Sequence, residues 1–175
     1  HGERVTRLAL LIAQDAGLGA HDLNLLRQLC PLHDVGKVGI TERILLKRGT
    51  LNAAERSRMA CHPTIGEEIL APIRAFRDGV GIVRNHHERV DGRGYPDGLK
   101  NEQIPLLARI TTLADAFDAM TSRRPYRNAL SLADAAGEIR RGAGTQFDVG
   151  LSSSFLERVR RRDERLIGVI ERSGR

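Results

Sequence analysis

A chain of 175 residues is long enough to bury one contiguous core, and its 3% aromatic content with no tryptophan means that the core is built from Leu, Ile, Val and Ala, which favours packed helices over aromatic-rich strands. The formal charge of +6, from 28 Lys and Arg against 22 Asp and Glu, is a moderate field that attracts an anionic substrate without singling out a nucleic-acid polymer. Two cysteines, Cys30 and Cys61, are too few for a disulfide framework and are not in zinc-type spacing, which suits a reducing compartment.

In chain order, Val5, Leu8, Leu11, Ile12 and Ala16 recur at helical spacing, with Gly17 and Gly19 as terminators. A second apolar run covers Leu23 to Val35. The glycine-punctuated segment Gly36 to Gly39 follows, and Thr41 caps a short turn through Leu46. Asn52 and Glu55 have the spacing of a capping box that starts a helix toward Cys61. His62-Pro63 should interrupt it, because the residue before proline is pushed from the α region, with a restart at Thr64. Phe76 to His87 reads as one helix, and Asp91 to Gly98, with three glycines and a proline, as a shaped loop. Pro105 opens a long helix with Ile110, Leu113, Ala114 and Phe117 on one face. Ser131 with Asp134 caps another. After the glycines from Gly142 to Gly150, a last helix runs from about Ser152 into a basic tail whose arginines (Arg158, Arg160, Arg161, Arg162) read as a solvated face.

These elements predict an all-α fold, a compact bundle of seven or more helices, with residues 1–156 as the main domain and 157–175 as a basic C-terminal helix or tail. No apolar stretch approaches the roughly 20 residues of a membrane span and no leader is visible, so a cytoplasmic domain is expected. The chain opens at His1 and enters helix at once, which leads us to expect an upstream sensor or receiver domain beyond it.

The histidines carry the chemical signal. His1, His33, His62, His86 and His87 fall beside carboxylates or loop signals, and only His21 is left over. Imidazole is the commonest metal-binding side chain. Lys37 lies four residues after His33 and three after Asp34, on the same side of a helical turn, where its ammonium can face a phosphate. Asp115 sits among apolar residues, where a bare carboxylate is costly; a metal ligand and a surface carboxylate are both open for it on spacing alone. Asp118, one turn on, shares its face and can touch substrate or orient a ligand.

His33-Asp34-Val35-Gly36-Lys37 resembles the HDxGK signature of the HD superfamily of metal-dependent phosphohydrolases, and His86-His87-Glu88-Arg89-Val90-Asp91-Gly92-Arg93-Gly94-Tyr95-Pro96 resembles the HHExxDGxGYP signature of its HD-GYP subfamily almost letter for letter. The likeness runs from His1 to about residue 156. Thr41 and Val149 depart from the family's usual prolines, outside the ligand positions. What the resemblance implies is a cyclic di-GMP phosphodiesterase yielding pGpG, with GMP as a further product. Its implied metal ligands are His1, His33, Asp34, His62, His86, His87 and Asp115, with Asp34 bridging; Lys37 and Asp34 are the catalytic pair. Asp118, Arg124, Arg127 and Tyr95 would meet the dinucleotide, the arginines through their two-pronged hydrogen bonding to phosphate. The implied cofactors are two divalent transition metals, or three where a residue upstream of His1 contributes, with iron or manganese suited to mixed histidine and carboxylate ligands. A diguanylate cyclase (GGDEF) domain contacting the GYP loop, and a homodimer, are the partners the family suggests. Two alternatives remain: hydrolysis of a mixed cyclic GMP-AMP, and a non-catalytic binding module.

Overall fold

The structure is a computed structural model that describes residues 1–122 and 128–171; Arg124 and Arg127 lie outside the described residues. Its helices are α1 (Gly2–Asp15), α2 (Ala20–Leu29), α3 (Glu42–Leu45), α4 (Ala53–Met59), α5 (His62–Leu70), α6 (Gly81–Asn85), α7 (Leu106–Thr121), α8 (Leu132–Gly142), α9 (Val149–Arg160) and α10 (Glu164–Glu171). Short 3-10 turns at Cys30–Leu32, Val35–Gly39, Arg74–Gly79 and Asn101–Gln103 link them. Among the described residues, strand pairing is limited to two isolated bridges, Asp91 with Lys100 and Ala143 with Phe147. The all-α bundle expected from composition is the fold observed.

The bundle is organised around α1 and α7, which pack along each other. Val5, Leu8, Ala9 and Ile12 of α1 and Ile110, Leu113, Ala114 and Phe117 of α7 are all buried in one core, where each large side chain contributes about 1.5–3 kcal/mol on leaving water. Phe117 meets Phe155 of α9 edge to face at 4.8 Å, the geometry that ring quadrupoles prefer. The α1–α7 packing fixes the site: α1 delivers His1 at its N-cap, and α7 carries Asp115 just past its middle and Asp118 in its last turn.

Several boundaries differ from the sequence expectation for physical reasons. The Asn52–Glu55 capping box forms in full, but α4 stops at Met59 and α5 restarts at His62 rather than Thr64, because Pro63 in a first helical turn has no intrahelical N–H bond to lose. Phe76 to His87 is not one helix. A 3-10 turn ends at Gly79, where the main chain presses on Leu25 and Leu29 so closely that an added Cβ would sit 2.5 Å from Leu29 Cδ1, and only Gly81–Asn85 is α-helical. The C-terminal helix is two helices, broken where Arg162 takes a left-handed φ of 49° and Asp163 begins again by accepting the Leu166 N–H. No helix among the described residues is long and apolar enough to cross a membrane.

Candidate metal centre

Three short elements and two long helices bring the histidines together. Asp34 lies just before the 3-10 turn Val35–Gly39, and that turn packs against the start of α5. Gly36 makes the approach feasible, since a Cβ there would stand 1.9 Å from the His62 carbonyl oxygen and 2.4 Å from the Gly66 nitrogen. His86 and His87 emerge just past the end of α6. The result is two groups of donors: Asp34, His62, His86 and His87, and beside them His1, His33 and Asp115, with the ligand atoms of each group within 4.8 Å of one another.

Asp34 faces both. Its Oδ1 lies 3.2 Å from His62 Nε2 and 3.9 Å from His86 Nε2, while Oδ2 lies 3.6 Å from His33 Nε2 and 2.5 Å from Lys37 Nζ. Asp115 Oδ1 completes the second group at 3.4 Å from His1 Nε2 and 4.0 Å from His33 Nε2.

Three imidazoles are tied down by one device. Nδ1–H of His33 donates to the Cys30 carbonyl at 2.7 Å, that of His62 to Met59 at 2.7 Å, and that of His86 to Val83 at 2.8 Å, each three residues back. A proton on Nδ1 leaves Nε2 as a lone pair in the neutral ring. His62 Nε2 and His86 Nε2 then face each other at 3.4 Å, with the Asp34 carboxylate beside them. Such a convergence of acceptors needs a cation among them, either a proton or a metal ion. Burial, reinforced by the neighbouring His87 and His33, pushes the His86 pKa well below its usual value, and burial lowers that of His87 to about 3, so both rings are neutral donors at ordinary pH. Burial would raise Asp34, but its contacts with His62 and Lys37 outweigh that and hold it below the usual carboxylate range. The donor chemistry fits a transition-metal centre, and the tethered Nδ1 atoms are how metal-binding imidazoles are held in orientation.

His1 is held differently. Its side chain is 40% exposed, and its Nδ1 donates to Asp118 Oδ2 at 2.7 Å. Asp118 is only 1% exposed and is also gripped by the buried Arg4, whose Nε is 2.7 Å from Oδ1 and whose guanidinium also donates to Thr121. Of the two roles open for Asp118 from the sequence, its position favours orienting a ligand over meeting substrate. Asp115 is raised by burial first, against the pull of His33.

Lys37 lies against Asp34 with its side chain 36% exposed, at the edge of the cluster. Tyr95 stacks on His87 with ring centroids 4.8 Å apart and planes at 25°; burial first, then Asp34 and Asp115, pushes its hydroxyl up to about 12. Residues without a role in the sequence reading now have one: Arg4 supports Asp118, Glu88 holds the loop that follows it, and Arg84 bridges Glu67 of α5 and Asp97 of that loop. Glu88 was the most readable of these, a carboxylate between a histidine and an apolar valine two residues on. A separate cavity of about 740 Å³, lined by Val90, Lys100, Arg109 and Asp148 among others, lies behind this loop and includes none of the ligand groups.

Comparison with known proteins adds to this geometry. The family model described as an HD domain matches residues 1–151. The chain is 43% identical over 148 residues to a "Cyclic di-GMP phosphodiesterase response regulator" of Xanthomonas campestris, covering 83% of this chain and 39% of that protein. It is 37% identical to a "3'3'-cGAMP-specific phosphodiesterase" of Vibrio cholerae, covering 85% of this chain and 32% of that protein. A crystal structure of a cyclic GMP-AMP specific phosphodiesterase from V. cholerae superposes with a TM-score of 0.73 at 22% identity, covering 95% of this chain and 45% of the other, which is a likeness of fold. The chain thus spans less than half the length of each of these proteins. Between a family model matched over most of the chain and the signature residues gathered into one cluster, the conclusion is that this chain belongs to the HD domain family of metal-dependent hydrolases, and within it carries the HD-GYP signature.

Proposed function

We propose that this domain hydrolyses a 3′–5′ phosphodiester of cyclic di-GMP to linear pGpG, with GMP as a further product. The observation that carries this reading is Asp34, whose two oxygens face two separate donor groups. His62, His86 and His87 would hold one metal ion and His1, His33 and Asp115 a second, with Asp34 shared between the two groups; iron or manganese suits such ligands. Metal ions held there would supply Lewis-acid polarisation of the phosphoryl oxygen and a water of lowered pKa for a hydrolysis that breaks the bond from phosphorus to the 3′ oxygen.

The chain's own residues supply the rest. Lys37, at the exposed edge, offers an ammonium to the phosphate and a proton to the leaving 3′ oxygen, while its bond to Asp34 keeps it in place. Tyr95 covers one side of His87, and in the same reading it meets a base or ribose of the dinucleotide. Arg124 and Arg127 belong to the same reading as phosphate contacts. So do a diguanylate cyclase domain against the loop, an upstream sensor or receiver domain, and a homodimer.

The test is metal analysis of protein purified without oxygen, followed by product detection from cyclic di-GMP. Two equivalents of metal and release of pGpG support the proposal; one or none at saturation, or no product from the loaded protein, rejects it. The 37% identical relative named for 3'3'-cGAMP keeps the mixed dinucleotide as a second substrate reading, and parallel turnover of both compounds separates the two.

A further inference from the structure

Half-buried His87 differs from the buried imidazoles around it. His33, His62 and His86 each donate Nδ1–H to a carbonyl three residues back, whereas His87, among the described residues, has no such tie. Its ring is set by its neighbours: His86 at 4.1 Å, His62 at 5.0 Å and, stacked on it, Tyr95 at 4.8 Å. Of these, His62 sits in α5 and His86 directly follows α6 with its ring tied to Val83, whereas Tyr95 belongs to the loop beyond, so the orientation of His87 depends on what holds that loop.

Glu88 holds it. The side chain is 1% exposed, and its carboxylate is met by main-chain donors from the far side of the loop: Asp97 and Gly98 N–H reach Oε1 at 2.7 and 3.1 Å, and Leu99 N–H reaches Oε2 at 3.1 Å. Charge-assisted bonds to a buried carboxylate are among the stronger local contacts, and removing the acceptor releases three main-chain donors at once. The loop is thereby drawn down onto the histidine pair. Tyr95 N–H donates to the His87 carbonyl at 3.3 Å, and Gly94 lies so close that a Cβ would stand 2.4 Å from Arg89 N and 2.6 Å from His87 O.

We propose that Glu88 is a positioning residue for His87: by gripping residues 97–99 it holds Tyr95 flat against the one imidazole beside Asp34, His62 and His86 that the main chain leaves untied. The proposal rests on the reading of Asp34, His62, His86 and His87 as a metal centre for its effect on affinity, but not for its effect on Tyr95.

The chain has two tyrosines and no tryptophan, so with Tyr126→Phe in the background Tyr95 is the sole tyrosine and dominates intrinsic emission. Emission of the metal-free chain and Mn²⁺ affinity by chelator competition are measured for that background, then with Glu88→Gln, Tyr95→Phe and Tyr95→Ala added. Glu88→Gln should raise Tyr95 emission as the stack opens and weaken Mn²⁺ about 10- to 100-fold, the usual cost of losing an outer partner of a metal-binding histidine. Tyr95→Ala should weaken Mn²⁺ similarly, and Tyr95→Phe, which keeps the ring, should restore it. Unchanged emission and affinity in a folded Glu88→Gln chain overturn the proposal. If circular dichroism shows that Glu88→Gln does not fold, the tyrosine pair decides: equal affinity in Tyr95→Ala and Tyr95→Phe overturns it, and a gap sustains it. If the background chain binds no Mn²⁺ at all, the metal reading fails while the emission change in Glu88→Gln still decides whether Glu88 sets the stack.

Discussion

The two donor groups are built on different principles. His62 and His86 in the inner group are each about 1% exposed and tethered to main-chain carbonyls, whereas His1 in the outer group is 40% exposed and tethered to a carboxylate on another helix. A main-chain tether is set by local helix geometry and survives any substitution of its partner residue. A side-chain tether is lost with one codon. His33 stands between the two cases, an outer-group ligand with an inner-group tether. Apart from His87, whose ring is set through Tyr95, the inner group should therefore respond mainly to changes in its own ligands, and the outer group to changes in residues that never touch a ligand's metal-facing atom.

The sharpest way to break that distinction is Asp34, which serves both. Asp34→Ala should empty both groups and cut hydrolysis by more than about 100-fold, beyond what losing an outer partner costs; full metal content with normal turnover would falsify the shared-carboxylate account. Lys37→Ala comes next. An ammonium is not a ligand, so metal content measured by elemental analysis should stay while the rate falls about 100- to 1000-fold, as for removal of one charge-stabilising donor. Metal loss in that variant would make Lys37 structural.

Asp118→Asn sharpens the comparison directly. The amide keeps the shape but weakens the acceptor for His1, so the weaker phase of a Mn²⁺ titration should shift by about 10-fold while the tighter phase holds. A shift of both phases together would mean that the groups are not separately anchored. The smallest effect is expected at Arg84, whose bonds to Asp97 at 2.8 and 2.7 Å and to Glu67 clamp the loop from its outer side at 29% exposure. Arg84→Ala should cost up to about 1 kcal/mol in denaturant unfolding, shrinking as salt is raised. A loss well above that would promote this outer clamp to the rank of Glu88.

How much of this the sequence displays depends on the range of the contact. The α7 face, the Asn52 cap and the glycine loop are local patterns, written in spacing of three or four residues, and they read directly. Four of the seven ligand candidates, His33, Asp34, His86 and His87, read through the two short HD and HHExxDGxGYP runs, and His1, His62 and Asp115 only through the wider family likeness. Their tethers do not read. Asp118 reaches His1 across 117 positions and Glu88 reaches Leu99 across 11, and neither spacing has a periodicity that marks it. The broken helix at Gly79 was missed for the same reason: what ends it is the approach of Leu29, fifty residues earlier.

Gly36 shows where such a site is most fragile. It has no functional group, yet the gap between its Cα and the His62 carbonyl is too small for a methyl, so the residue acts as a spacer of zero thickness between the segments bearing Asp34 and His62. Any side chain there is a wedge that moves two ligands apart without altering either. Tolerance at this centre is accordingly graded by volume as well as by chemistry, and a ranking of positions by reactive atoms alone would place last a residue on which the whole spacing depends.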